Sequence, residues 1–157
     1  MKYELEDILK VRNFRKDKAS DNVTKARRKL REAEEKVEEE KRKLEAFVQK
    51  KPGYIDLAYR QVIRRNLKRK NIDLIAFKIT KLDERQMKLE MNIEKAQNER
   101  DKAAKHLAEC QAILSQAMKD TQKIDEHKTT WMEEANQLEQ ELVEKEMEDF
   151  KAKKPSY

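Results

Sequence analysis

Leu89-Glu-Met-Asn-Ile93-Glu-Lys-Ala96-Gln-Asn-Glu-Arg100-Asp-Lys-Ala103-Ala-Lys-His-Leu107-Ala-Glu-Cys110-Gln-Ala-Ile-Leu114-Ser-Gln-Ala117 decides the fold. Its small and apolar rungs are spaced four and three residues apart, with Arg100 the one polar interruption. That spacing keeps a single seam turned toward a partner helix. Followed outward, the ladder starts at Ile72, Ile75, Ile79 and Leu82 and ends with Ile124, Trp131, Ala135, Leu138 and Leu142. A shorter ladder precedes it: Leu5, Leu9, Ala19, Val23, Ala26, Leu30, Ala33, Val37, Leu44 and Phe47. Ten of the 13 seam positions from 5 to 47 are apolar, and 17 of the 21 from 72 to 142. Disordered chains of similar charge lack such a repeat, so the seam argues for folded helix.

Composition points the same way. Of 157 residues, 45% are charged and 6% aromatic, with one Gly and two Pro, the profile of a coiled coil rather than a globule. The expected fold is all-α, an elongated antiparallel two-helix coiled-coil hairpin with a longer second helix. Helix 1 is expected over 5–50, where Pro52-Gly53 removes a backbone donor and supplies a left-handed cap. A head with a turn and a short helical piece follows over 51–71, then helix 2 over 72–150 and a basic tail over 151–157. The whole chain, 1–157, reads as one coiled-coil domain.

Short connections make neighbouring helices antiparallel. Ala19, Ala26 and Ala33 recur every seven residues, as do Ala96, Ala103, Cys110 and Ala117. Large residues oppose small ones if residue i faces about residue 126 − i, which sets Leu30 against Ala96 and Leu9 against Ala117. Shifts of one heptad satisfy the same rule. In this register helix 1 runs out opposite Thr121, and residues beyond about 122 overhang with an apolar stripe that calls for a protein partner. Self-association of two overhangs and a longer first helix are the alternatives. Trp131, the only tryptophan, is then either a seam anchor or an interface anchor.

The net charge of +6 is unevenly spread. Residues 54–71 hold six Lys/Arg against one acidic residue, whereas Glu133–Phe150 holds eight carboxylates and one Lys. The basic head, Arg60, Arg64, Arg65, Lys68, Arg69 and Lys70, is the best candidate for nucleic-acid or anionic-membrane binding. It carries no reading motif, so a protein-docking or solvated surface is the leading interpretation and no nucleic acid is expected. No catalytic constellation is visible. His106 and Cys110 are four apart, but no second ligand pair completes a zinc site. One glycine precludes a phosphate loop. The reading is of a non-enzyme without cofactor or metal. No apolar run has membrane-spanning length, Glu4, Glu6 and Asp7 break any signal-peptide pattern, and Cys110 is a lone cysteine. A cytoplasmic setting is expected, although a secretion route without a cleaved leader would escape this test.

Tyr3-Glu-Leu5-Glu-Asp-Ile8-Leu9-Lys-Val11-Arg12 resembles the aromatic-x-Leu-x-x-aliphatic-Leu opening of the type III secretion stalk family, which includes YscO of the injectisome and FliJ of the flagellar apparatus. His127-Lys-Thr-Thr-Trp131-Met-Glu133-Glu134-Ala135 is similar to the Trp-centred C-terminal stretch of injectisome members. Glu146-Met-Glu148-Asp149-Phe150, followed by Lys151, Lys153, Lys154 and Pro155, resembles their acidic-aromatic then basic ending. The resemblance implies a virulence-associated central stalk that engages the pore of a hexameric secretion ATPase and links it to the export gate. It also implies contacts with substrate chaperones or the needle-length ruler protein, by a monomeric chain. By analogy with a rotary shaft, Leu5, Leu9, Arg12, Trp131, Glu134, Leu138 and Leu142 form the ATPase-facing end. Leu44, Phe47, Ile72, Ile75, Phe77 and Ile79 form the gate-facing end. The alternatives are a scaffold or chaperone-escort adaptor and, lower, a basic nucleic-acid-binding coiled coil.

Overall fold

The structure is a computed structural model, and it describes residues 2–64 and 69–153. It contains two helices, α1 (Glu6–Ile63, 58 residues) and α2 (Arg69–Ala152, 84 residues), with no strand among the described residues. They pack antiparallel as a helical hairpin whose second helix is the longer. Glu6 and Asp7 stand in the first turn of α1, where carboxylates complement the helix dipole. The Glu6 amide donates to the Tyr3 carbonyl at 3.3 Å, closing a turn ahead of the helix.

Pro52-Gly53 does not end α1: the helix continues to Ile63. Proline leaves the Val48 carbonyl without its amide partner, which costs about 3 kcal/mol in a helix interior. Packing on both sides offsets this. Phe47 is buried before the proline, Ala58 and Val62 are buried after it, and Lys51 and Ile55 are half-buried between. Gly53 has helical room, since a Cβ there would meet nothing within 4 Å. The seam runs 44, 47, 51, 55, 58, 62, so one four-residue step replaces a three and the ladder is reset rather than stopped. The short helical piece expected within 51–71 is therefore the continuation of α1 itself, and α2 starts by Arg69 rather than Ile72.

Packing divides the chain into two units, Met1–Val23 with Glu109–Tyr157, and Thr24–Ala108. In the first, Leu9, Ala19 and Val23 are buried on α1 and Cys110 and Thr121 on α2. The cross-helix pairs are Tyr3 with His127, Glu6 with Lys128, and Arg12 with Asp120 and Thr121. In the second, Ala26, Val37, Phe47, Ala58 and Val62 are buried on α1 and Ile75 and Ala96 on α2. There Lys51 Nζ donates to Asp83 at 2.6 Å and to Gln86 at 2.8 Å, and the Arg85 guanidinium lies 5.2 Å from the Phe47 ring centre. Within each unit the pairs set residue i opposite about residue 133 − i. The register is one heptad from the 126 − i expectation: Gln86 receives Lys51, not Glu40. Glu40 is nonetheless buried, and accepts from Lys43 at 3.0 Å.

Candidate interaction surfaces

The amino end of α1 is fixed by an aromatic cluster within the first unit. Tyr3 is 6% exposed, ahead of the helix, with its ring 5.3 Å from Trp131 and 5.8 Å from His127, both tilted. The phenol lies 2.8 Å from His127 Nδ1 and donates to it when the imidazole proton sits on Nε2. Lys128 bonds Glu6 at 2.8 Å and stands 5.9 Å from the Tyr3 ring centre. Tilted aromatic pairs contribute about 0.5–1.5 kcal/mol beyond area burial. Trp131 thus belongs to the hairpin interior, half-buried beneath Tyr3. The overhang starts near Asn136 rather than 122, because the one-heptad shift and Tyr3 together carry the pairing further along α2.

These contacts split the residues assigned to the ATPase-facing end. Leu9 is buried and Leu5 half-buried. Arg12 pairs with Asp120 at 3.5 Å, and its carbonyl lies 3.5 Å from the Thr121 hydroxyl, which also donates to Ala117 at 2.9 Å. Leu5, Leu9, Arg12 and Trp131 therefore join α1 to α2. Glu134, Leu138 and Leu142 are exposed, and with them Val143, Met147 and Phe150, the last 71% exposed. No residue from 136 to 153 is even half-buried. The eight carboxylates of Glu133–Phe150 alternate with these apolar side chains. Val143 and Met147 lie off the heptad positions, so counting seam residues overlooked them.

The end of the hairpin formed by the last turns of α1 and the first of α2 belongs to the second unit. Of the residues assigned to the gate-facing end, Phe47 and Ile75 are buried, Leu44 and Ile79 half-buried, and Ile72 and Phe77 exposed. Leu44 and Phe47 lie before Pro52 and thus well short of this end once α1 extends to Ile63. Tyr54, Leu57, Tyr59, Ile63 and Leu74 are exposed apolar residues that the seam did not mark. Arg60, Arg64, Arg69 and Lys70 are exposed, Arg60 pairing with Asp56 at 3.0 Å. Arg65 and Lys68 lie outside the described residues, as do Lys154 and Pro155 of the tail.

Among the described residues, no cluster of His, Cys, Asp or Glu is arranged to hold a metal, and neither helix is long and apolar enough to cross a membrane. Every buried side-chain nitrogen and oxygen described has a hydrogen-bond partner.

The sequence profile of a family described as type III secretion protein YscO matches residues 5–153. A solved structure of CT670 from Chlamydia trachomatis, proposed to be a YscO homologue, superposes with a TM-score of 0.77 at 24% identity, covering 97% of this chain and 93% of that one. At that identity the likeness speaks for the fold. No curated protein matches the sequence.

Proposed function

We propose that this chain, which belongs to the YscO family of type III secretion proteins, acts as a non-catalytic stalk of the hexameric secretion ATPase, linking it to the export gate. The carrying observation is the carboxyl end of α2. Past Ala135 the helix shows Leu138, Leu142, Val143, Met147 and Phe150 to solvent among carboxylates, with no described residue laid over them. An apolar stripe of this length beside a strong excess of negative charge is the pattern of a helix awaiting a partner groove. A ring pore lined with cations would meet the charge, and its apolar rim the stripe.

In this reading the working end is narrower than the sequence suggested. Glu134, Leu138 and Leu142 reach the ATPase, joined by Val143, Met147 and Phe150. Leu5, Leu9, Arg12 and Trp131 hold the base from which they project. The opposite end, with Ile72 and Phe77 exposed, is the gate-facing side, and substrate chaperones and the ruler protein are further partners of the same apparatus.

The test is the hydrolysis rate of the cognate ATPase as the full chain is titrated in. Saturable stimulation is expected, lost when the chain stops at Ala135. A ring shown to be assembled yet unaffected by this protein would reject the stalk and favour an adaptor for gate, ruler or chaperones.

A further inference from the structure

One flank of the hairpin in the second unit carries a groove of about 470 Å³ between residues 54–61 of α1 and 78–85 of α2. Buried Ala58 and half-buried Leu82 form its floor, and the exposed Tyr54 and Leu57 its α1 wall. The α2 wall is cationic: Lys78, Lys81 and Arg85. None of the described residues lining the groove is acidic. Phe77, 58% exposed, lies beyond Lys81 with its ring centre 5.4 Å from that ammonium. The row of cations thus runs between apolar side chains on both sides.

These cations are lightly held. Lys78 donates to the neutral Gln61 at 3.2 Å, and Lys81 pairs with Glu84 at 3.0 Å, both of that pair being well exposed. An exposed pair within one helix contributes little and yields readily to another carboxylate.

The uncovered end of α2 has the complementary layout. Leu142 and Val143 stand three or four residues from both Glu139 and Glu146, and Phe150 stands four from Glu146. At that spacing they share a helix face, so two carboxylates lie among apolar side chains. Glu141, Glu144 and Glu148 fall on the opposite side of the helix and stay in water. One surface therefore sets cations between apolar borders, and the other sets anions between apolar borders. An amphipathic helix laid in a groove buries such a face.

We infer that the groove at 54–61 and 78–85 receives the carboxyl end of α2 from a second copy of this chain. Glu139 and Glu146 meet Lys78, Lys81 and Arg85, while Leu142, Val143 and Phe150 cover Leu57 and Tyr54. Within one chain both surfaces are borne by the same helix, α2, so the occupant is another copy. The contact joins unlike surfaces, so each copy offers one of each. It hides an apolar stripe that is otherwise left in water. The same end of α2 is assigned to the ATPase above, and the two engagements exclude each other. The inference does not rest on that assignment, and its test contains no ATPase.

The full-length protein is followed by sedimentation from about 1 µM to about 1 mM. Its average mass should rise above that of one chain with concentration, and less steeply as salt is raised. Lys81→Glu/Arg85→Glu in the groove and Glu139→Lys/Glu146→Lys in the tail should each weaken association at least tenfold, with helicity by circular dichroism unchanged. Mixed together, the two variants should associate again, because one supplies an intact tail and the other an intact groove. Leu57→Glu provides a second groove variant should the first unfold, and should be rescued by the same tail variant. A protein that stays monomeric throughout overturns the inference. So does association that ignores the groove variants, or a mixture that fails to recover, either of which would point to two overhangs pairing with each other.

Discussion

Tyr3 packs its ring 5.3 Å from that of Trp131, so the first aromatic residue of the chain secures the point at which α2 leaves its partner. The contact also fixes His127 through the phenol. If these groups act together, Tyr3→Ala and Trp131→Ala should be less than additive, with a coupling of about 0.5–1.5 kcal/mol. Each single variant should cost about 1–3 kcal/mol, below the range for a fully buried aromatic. Denaturation of the two singles and the double tests this; strict additivity would mean that the rings do not interact.

The register makes a crosslinking prediction. In a Cys110→Ala background, Leu30→Cys with Ala103→Cys should oxidise readily, since the helices bring these positions face to face in the second unit. Leu30→Cys with Ala96→Cys should not. Mobility on non-reducing gels decides between the two.

Pro52 and Gly53 are ordinary helical positions by conformation and poor ones by chemistry. Pro52→Ala should stabilise by about 2–3 kcal/mol, because the Val48 carbonyl regains its partner. Gly53→Ala should add about 0.5–1 kcal/mol, its new Cβ meeting nothing within 4 Å. A lower melting temperature in the double variant would show that this segment needs to bend.

Glu40 occupies a seam position and is 9% exposed. Glu40→Leu should be neutral or stabilising by about 1 kcal/mol, as expected when a buried ionic group is replaced by a packed apolar one. The same change removes the first of two carboxylates that hold the Lys43 proton more firmly than usual, Glu39 being the other. A raised lysine pKa stabilises below the unfolded value and ceases to do so as pH rises through the folded one. The wild-type protein should therefore lose this small increment only above the ordinary lysine range, and less of it should be lost in the Glu40→Leu variant. Thermal melts at neutral and strongly alkaline pH check the sign.

Truncation after Ala135 separates function from fold. The described residues that are removed, 136–153, are all exposed, so the hairpin's melting temperature should stay within a few degrees while ATPase stimulation disappears. A collapse in stability would mean that these residues support the hairpin itself.

The heptads made the two-helix hairpin legible, and every seam position from Leu5 to Phe47 is buried or half-buried. The register was not legible, for a reason internal to the pattern. Ala96, Ala103, Cys110 and Ala117 stand seven apart, so sliding by a heptad exchanges one small residue for the next opposite Val23 and Leu30, whereas toward the chain start a match changes, Leu9 then facing Ile124 instead of Ala117. What selects among registers is the pairing of particular side chains at and next to the seam: Arg12 with Asp120, Lys51 with Asp83, and Tyr3 with Trp131. Such pairs are too short-ranged and too numerous to enumerate from sequence.

Pro52-Gly53 misled because local propensity was weighed without the packing beyond it. Ile55, Ala58 and Val62 already carried the signal of a continuing seam, offset by one extra residue. The candidate surfaces were half legible. Leu138 and Leu142 followed from the ladder outlasting its partner. The exposed Leu57 and Leu74 did not, because periodicity finds the side chains that face a partner helix and is silent on those that face away.

The carboxyl end of α2 mixes repulsion with its own counter-charges. Glu144 and Glu148 are four apart, and Glu141–Glu144 and Glu146–Asp149 three apart, so like charges sit on successive turns, while Lys145 is three or four residues from Glu141, Glu148 and Asp149, Lys151 three from Glu148, and Lys153 four from Asp149. Dissolved salt screens both kinds of pair, so it changes the isolated helix little, yet it weakens the grip of any cationic partner. Ionic strength therefore acts on recognition more than on helix persistence. A bound partner's cations would compete with the segment's own lysines for the same carboxylates, making release of those lysines part of binding.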